Sequence, residues 1–276
     1  MRILQISGQL LPADRPLVMG VLNITPDSFS DGGAWLGTDQ AMEHAALMVE
    51  AGADIIDIGG ESTRPGSAGV SVAEELKRVI PVIEQVYAKL EIPISVDTSK
   101  PEVMLAAIQA GAGMINDINA LRAEGAVEVV ASLGVPVCLM HMQGHPQNMQ
   151  QEPHYEDVVS EVSKYLLERA SVLQQAGVRQ RDIVLDPGFG FGKTQSHNIQ
   201  LFRAIPRLAA LGYPLLIGVS RKSMLGAITN QPVDSRVHAS VTAAILAAQG
   251  GASILRVHDV AATVDGLKTW QALSDK

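Results

Sequence analysis

Cysteine is almost absent. Cys138 is the only one in 276 residues, so no disulfide can form within the chain. It lies in the apolar run Val135-Pro-Val-Cys-Leu-Met140, which predicts a buried, inert thiol with a structural role. Aromatic residues make up only 4% of a chain that is 47% hydrophobic, so alanine, valine, isoleucine and leucine must build the core. Positive charge is also short: 21 lysines and arginines face 29 acidic residues. The resulting net charge of -8 argues against nucleic acid or an anionic membrane as the main partner. Any anion must be held by a local cluster of cations. No uncharged apolar run is long enough to span a membrane, and no charged-then-apolar leader pattern opens the chain. The cytoplasm is the expected compartment, with no membrane partner.

What is present is enough apolar residue for one large core, so a single domain over residues 1–276 is expected. Residues 3–11 alternate weakly before Pro12 and read as a short N-terminal accessory strand or hairpin. From Leu17 onward, strand-like apolar runs recur at Leu17–Asn23, Asp54–Gly59, Pro93–Asp97, Gly113–Ile118, Val135–Met140, Ile183–Asp186, Leu215–Ser220 and Ser253–His258. Helical periodicity fills the intervals: Ala41–Ala51, Ala73–Leu90, Val103–Ala110, Glu124–Leu133, Tyr155–Ala176, Asn198–Leu211, Arg236–Gln249 and Ala261–Leu273. Ser71-Val-Ala-Glu74 and Ser99-Lys-Pro-Glu102 fit capping boxes at two helix starts. Near-continuous apolar strands alternating with helices indicate a parallel α/β sheet, and eight such units favour a closed (β/α)8 TIM barrel. The doubly wound open sheet is the alternative.

The stretch Ile183-Val-Leu-Asp-Pro-Gly-Phe-Gly-Phe-Gly-Lys193 is the most telling. An apolar strand ends in Asp186 and runs into a glycine-rich loop where backbone can approach a ligand closely. Gly192-Lys193-Thr194 imitates the end of a nucleotide-binding P-loop, but Pro187 occupies the position of that motif's first glycine and has no N–H to offer a phosphate.

In a barrel, the polar groups that end the strands face one mouth. Here they are Asn23, Asp57, Asp97, Asn116, Met140, Asp186, Ser220, Arg256 and His258, the last two on one face by the period of two. The loops Ile24–Gly37 and Gly60–Val70 are long for such connections and read as binding elements over the mouth. A lone strand-end aspartate is most simply an ion-pair partner; several on one rim point to a ligand. Asp97 and Asp186 can each accept two parallel N–H bonds from a planar heterocycle, and Asn116 can fix which edge is presented. Gly218 lets a flat ring lie near the backbone. Ser220 can hold a carboxylate, and Lys222 can reach a ring oxygen or nitrogen, although a solvated lysine at a helix start is an equal reading. Arg256, His258 and Asn23 form a candidate anion subsite, in which the Asn23 carbonyl suits a hard cation. The bland alternative makes His258 a packing histidine, and His141 is assigned to structure.

Leu22-Asn-Ile-Thr-Pro-Asp-Ser-Phe-Ser-Asp-Gly-Gly33, Gly60-Glu-Ser-Thr-Arg-Pro-Gly66, Ser95-Val-Asp-Thr-Ser-Lys-Pro101, Ile115-Asn-Asp-Ile118, Met140-His-Met-Gln-Gly144, the stretch from Asp186 to Lys193, Gly218-Val-Ser-Arg-Lys222 and Leu255-Arg-Val-His258 together resemble the dihydropteroate synthases, pterin-binding barrels. The resemblance implies transfer of the pterin methylene of 6-hydroxymethyl-7,8-dihydropterin diphosphate to p-aminobenzoate with Mg2+. Diphosphate departs to leave a pterin cation, which the amine attacks. It implies catalytic roles for Asp97, Lys222, Arg256 and His258. The implied pterin pocket comprises Asp57, Asp97, Asn116, Ile118, Met140, Asp186, Gly218 and Lys222. Asn23, Thr63, Arg256 and His258 would hold the diphosphate, with Asn23 on the metal. Phe29, Thr63, Arg64, Pro65, Phe191 and Ser220 would surround p-aminobenzoate, where sulfonamides compete. A homodimer is implied too. Two rivals share the barrel: methyltetrahydrofolate corrinoid methyltransferases, disfavoured by the motifs around Thr63, Arg64, Ser220, Arg256 and His258, and a non-catalytic pterin-binding paralogue.

Overall fold

In the computed structural model, which describes residues 5–6, 8–11, 14–24, 34–62, 66–67 and 69–274, the chain opens with an antiparallel hairpin of β1 (Gln5–Ile6) and β2 (Gln9–Leu10). Eight strands follow: β3 (Leu17–Asn23), β4 (Ile55–Gly59), β5 (Ile94–Asp97), β6 (Met114–Asp117), β7 (Val137–Met140), β8 (Ile183–Asp186), β9 (Leu216–Ile217) and β10 (Ile254–Val257). All pair in parallel, in the order β8-β7-β6-β5-β4-β3-β10-β9. The two ends of this sheet meet at a parallel bridge between Leu185 and Leu215, where the Leu185 N–H donates to the Pro214 carbonyl at 2.9 Å. The sheet therefore closes, and the open doubly wound alternative is set aside.

Helices cover the outside of the barrel. They are α1 (Ala34–Glu50), α2 (Val72–Lys89), α3 (Pro101–Gln109), α4 (Ala126–Leu133), α5 (Val158–Gln175), α6 (Gln195–Arg203), α7 (Ile205–Ala209), α8 (Ser223–Thr229), α9 (Val237–Gln249) and α10 (Val260–Leu273). The helix expected over Asn198–Leu211 is two helices, because Pro206 in the first turn of α7 has no N–H to continue the ladder of α6. Ser71 caps α2, accepting from the Glu74 N–H at 3.2 Å. Ser99 does not cap α3. Its hydroxyl is taken by the buried Asp117 carboxylate, and Lys100 occupies the cap position without a side-chain bond. Short α8, directly after Lys222, gives the helix start read there, although the sequence pattern assigned that helix no range.

The period of two sorts each strand into two cores. Outward residues such as Val18, Leu22, Ile56, Ile58, Val96, Ile115, Leu139, Leu185 and Leu255 join the helices in one buried cluster. Inward residues Leu17, Met19, Ile55, Met114, Cys138, Val184, Leu216 and Ile254 form a second, inside the barrel. Ile6 on β1 and Leu11 just after β2 belong to this second cluster. The accessory hairpin thus caps the barrel at the end opposite the mouth. Cys138, fully buried there, has its thiol pKa pushed up by burial, as suits an inert packing residue.

Ile6 is 0% exposed, so Ile6→Ala should leave a cavity in the barrel floor and lower the unfolding free energy by about 2–4 kcal/mol. Urea denaturation measures it; a change near zero would mean that the hairpin lies on the barrel without sealing it.

Candidate active site

Nearer the mouth, the inward side chains of five of the eight strands turn polar. Asp57 follows Ile55, Asn116 follows Met114, Asp186 follows Val184 and Arg256 follows Ile254, while Asp97 follows Ser95 on β5. The same step brings Met140 after Cys138 and Gly218 after Leu216. A single layer of the barrel thus collects most of the residues expected to touch a flat ring.

The layer is short of positive charge. Arg256 Nε donates to Asp57 Oδ2 at 2.6 Å while its Nη2 donates to Asp97 Oδ2 at 2.8 Å, so one guanidinium serves two carboxylates. Asn116 Nδ2 adds a bond to Asp57 Oδ2 at 3.1 Å. Asp57 Oδ1, on a residue 0% exposed, has no hydrogen-bond partner among the described residues. A buried acceptor of this kind takes its donor from a bound water or a ligand. Burial pushes the Asp97 carboxyl up to about 7; Arg256 pulls it down, whereas Asp57, Asp117 and Glu75 push it further up.

On the facing side, Asp186 Oδ1 accepts the Gly188 N–H at 2.7 Å, and burial raises this carboxyl against the pull of Lys222. Lys222 donates to the Phe189 carbonyl and stands 4.7 Å from the centre of the Phe191 ring. Burial lowers its ammonium pKa to about 8, with Asp186 opposing. Gly188 is left-handed at φ 68°, and a Cβ there would lie 1.9 Å from the His141 carbonyl oxygen, so the loop requires glycine. Lys193 explains why the loop is firm. Its buried Nζ donates to the carbonyls of Gly188 and Phe191, both at 2.9 Å, and of His141 at 3.3 Å. Its place is inside the loop, binding the loop's own carbonyls, unlike a P-loop lysine. His141 Nδ1 lies 2.9 Å from the same Nζ, and burial together with Lys193 lowers the ring's pKa to about 2. The ring stands edge-on to Tyr165 with centroids 5.0 Å apart.

An apolar wall completes the pocket: Met140, Met142 and Met149 pack together, with Ile118 and Phe191 against them. Beside it, a cavity of about 260 Å³ reaches from Asp97 to Lys100, Asn119 and His145. Lys100 is ion-paired with both Glu61 and Glu75.

The proposed anion subsite is only partly assembled. Ser220 is buried, and its Oγ accepts the His258 N–H at 3.1 Å and lies 3.1 Å from His258 Nδ1. Loss of solvent around the ring, then Arg256 and Arg221, lower His258 to about 4, so it is neutral at pH 7. Arg256, expected beside it, is turned onto Asp57 and Asp97, because buried carboxylates compete better than solvent for a guanidinium. Asn23 ends β3, exposed at the mouth beside Gly59. Phe29, Thr63, Arg64 and Pro65 lie outside the described residues.

Sequence reasoning missed three side chains that hold this site. Asp117 accepts the N–H groups of Asn119 and Leu121, each at 2.7 Å, to set the turn that carries Ile118. Lys193 was legible only as a failed motif. Arg221 stood between two chosen residues with nothing to mark it.

A closed (β/α)8 barrel whose mouth offers donor-hungry carboxylates beside an apolar wall defines an enzyme that grips a flat nitrogen heterocycle. Residues 19–258 match the family model described as pterin binding enzyme. The chain is 51% identical to the dihydropteroate synthase of Escherichia coli (strain K12) over 265 residues, 96% of this chain and 94% of that one. It superposes with a TM-score of 0.94 on Xanthomonas albilineans dihydropteroate synthase solved with 4-aminobenzoic acid, at 54% identity and covering 100% and 99% of the two chains. The complex of the Xanthomonas albilineans enzyme with 7,8-dihydropteroate gives a TM-score of 0.91 at 52% identity, over 99% of each chain. The chain belongs to the pterin-binding enzymes and, within them, to the dihydropteroate synthase family.

Proposed function

We infer that the protein is a transferase of folate biosynthesis that joins 6-hydroxymethyl-7,8-dihydropterin diphosphate to p-aminobenzoate, giving 7,8-dihydropteroate and pyrophosphate. The observation that carries this reading is the polar layer of buried Asp57, Asn116 and Asp186 beside the partly buried Asp97, with the orphaned Asp57 Oδ1, in a chain of this family. A neutral pterin brings the ring N–H and amino donors that such a surplus of carboxylate lacks, and Lys222 donates to a ring oxygen or nitrogen. Met140, Ile118 and Gly218 hold the ring flat.

Chemistry then happens at the pterin methylene. The C–O bond breaks, its electron pair leaves with the diphosphate, and Asp97 stabilises the cationic methylene left behind. The aniline nitrogen of p-aminobenzoate forms the new C–N bond and sheds a proton. Arg256, His258 and Asn23, with Thr63, handle the diphosphate, and neutral His258 does so as a hydrogen-bond donor. Phe29, Thr63, Arg64, Pro65, Phe191 and Ser220 receive p-aminobenzoate. Among the described residues no cluster of three or more His, Cys, Asp or Glu suits a metal. The lone Asn23 amide oxygen at the exposed end of β3 fits Mg2+ as a single protein donor, with substrate phosphate oxygens supplying others. Held there, Mg2+ would supply charge neutralisation at the diphosphate. A homodimer in the cytoplasm completes the reading; no helix among the described residues is long and apolar enough to cross a membrane.

Product formation from the two substrates, followed by chromatography, tests the assignment. Dihydropteroate should accumulate with Mg2+ and fall at least about tenfold when a chelator removes it. Tight binding of the pterin diphosphate without product would instead mark a non-catalytic pterin-binding protein, and methyl transfer to a corrinoid a methyltransferase.

A further inference from the structure

Arg221 is one of the few non-glycine residues with a left-handed backbone, at φ 59°. An arginine gains nothing locally from that conformation, and it persists only where the surroundings over-determine it. Here they do. The Arg221 N–H donates to Ser240 Oγ at 2.9 Å, and its carbonyl accepts from Arg236 Nη1 at 2.9 Å. The Arg221 guanidinium grips Asp259 with two bonds, Nε to Oδ2 at 3.0 Å and Nη2 to Oδ1 at 2.5 Å. The Arg236 guanidinium lies over Gly226, where a Cβ would come within 2.3 Å of its Nη2. Three groups, Arg236 just before α9, Ser240 on it and Asp259 after β10, thus impose one strained residue between two strand ends.

Its neighbours explain the effort. Residue 220 turns its hydroxyl to His258, and residue 222 sends its amine to Phe189 and the ring of Phe191. The left-handed kink between them lets consecutive side chains serve two different parts of the mouth. Asp259, the anchor, directly follows His258. We propose that Arg221 is a positioning residue for the transfer: clamped to Asp259, it fixes Ser220 and His258, at the amine and diphosphate end, in register with Lys222 at the pterin end. This rests on the synthase reading above. Arg221 itself touches no reacting atom in the scheme.

The test is a double-mutant cycle on the full-length enzyme with Arg221→Met, Asp259→Asn and the pair, plus Arg221→Lys. Turnover by the parent establishes the synthase reading first; a parent without turnover sinks that reading and this one together. In the variants, kcat/KM for p-aminobenzoate should fall by about 10- to 100-fold, as expected for misplaced rather than missing groups. Affinity for 6-hydroxymethyl-7,8-dihydropterin, which lacks the diphosphate, should stay within about threefold of the parent, and the double variant should be no worse than Arg221→Met alone. Arg221→Lys, keeping the charge without the two-pronged grip, should fall between. Parallel loss of pterin affinity, additive effects of the two substitutions, or unchanged kcat/KM would each overturn the clamp.

Discussion

Asp186→Ala should bind 6-hydroxymethyl-7,8-dihydropterin about 10²- to 10³-fold more weakly than the parent, the loss expected when two hydrogen bonds to a charged acceptor disappear. The carboxylate stands at the end of β8, buried, where ring donors find no water to replace it. A second loss comes through Lys222. Burial already lowers this ammonium to about 8, and Asp186 is the first group holding it up. Without Asp186 the pKa falls further, so at pH 7 a larger share of Lys222 is neutral and donates more weakly to the ring. Asp186→Asn separates the two effects. It preserves the shape and the acceptor for the Gly188 N–H, yet offers the ring one acceptor and one mismatched donor. Calorimetric titration of the three proteins measures the series; an Asp186→Ala affinity within fivefold of the parent would remove Asp186 from the pocket.

The barrel and its inward polar layer were largely legible from sequence because both rest on period two. Apolar Ile55, Met114, Val184 and Ile254 announce an inward floor, and the residues two further on must face the same interior, nearer the mouth. That logic reaches Asp57, Asn116, Asp186 and Arg256 without any tertiary information. It does not say which partner a long side chain chooses. Arg256 and His258 share a parity, and the expectation grouped them as cations around one anion. The fold instead gives Arg256 to Asp57 and Asp97 and leaves His258 against Ser220. Electrostatic competition between groups distant in sequence decides this, and no local pattern encodes it. Arg221 was invisible for a related reason: its conformation depends on Ser240, Arg236 and Asp259, which fold toward it from elsewhere. The missed capping at Ser99 is the same lesson on a smaller scale, since a buried Asp117 outbids the helix end for its hydroxyl.

Arg256→Met should lower kcat/KM for the pterin diphosphate by about 10³-fold near pH 7, because the departing diphosphate loses a charge-assisted donor and Asp97 loses the cation that favours its ionised form. Asp97 answers by taking up a proton more readily. Asp97 already sits near 7 in the parent, where Arg256 is the leading cation lowering it; without that cation the value rises. The sign of the pH dependence follows. If ionised Asp97 stabilises the cationic methylene, parent kcat/KM should decline as pH falls through about 7. In Arg256→Met the same acid limb should move to higher pH, and the deficit relative to the parent should shrink between about pH 7 and 9 as Asp97 regains its charge. Arg256→Lys restores a charge with only one direction of attachment, so it should return the limb toward its parental position while recovering little of the diphosphate handling. Steady-state rates across the pH range, with circular dichroism confirming that each variant stays folded, give both quantities. A uniform deficit with an unmoved acid limb would mean that Arg256 serves the diphosphate alone, and that the charge on Asp97 is set by its burial rather than by the guanidinium.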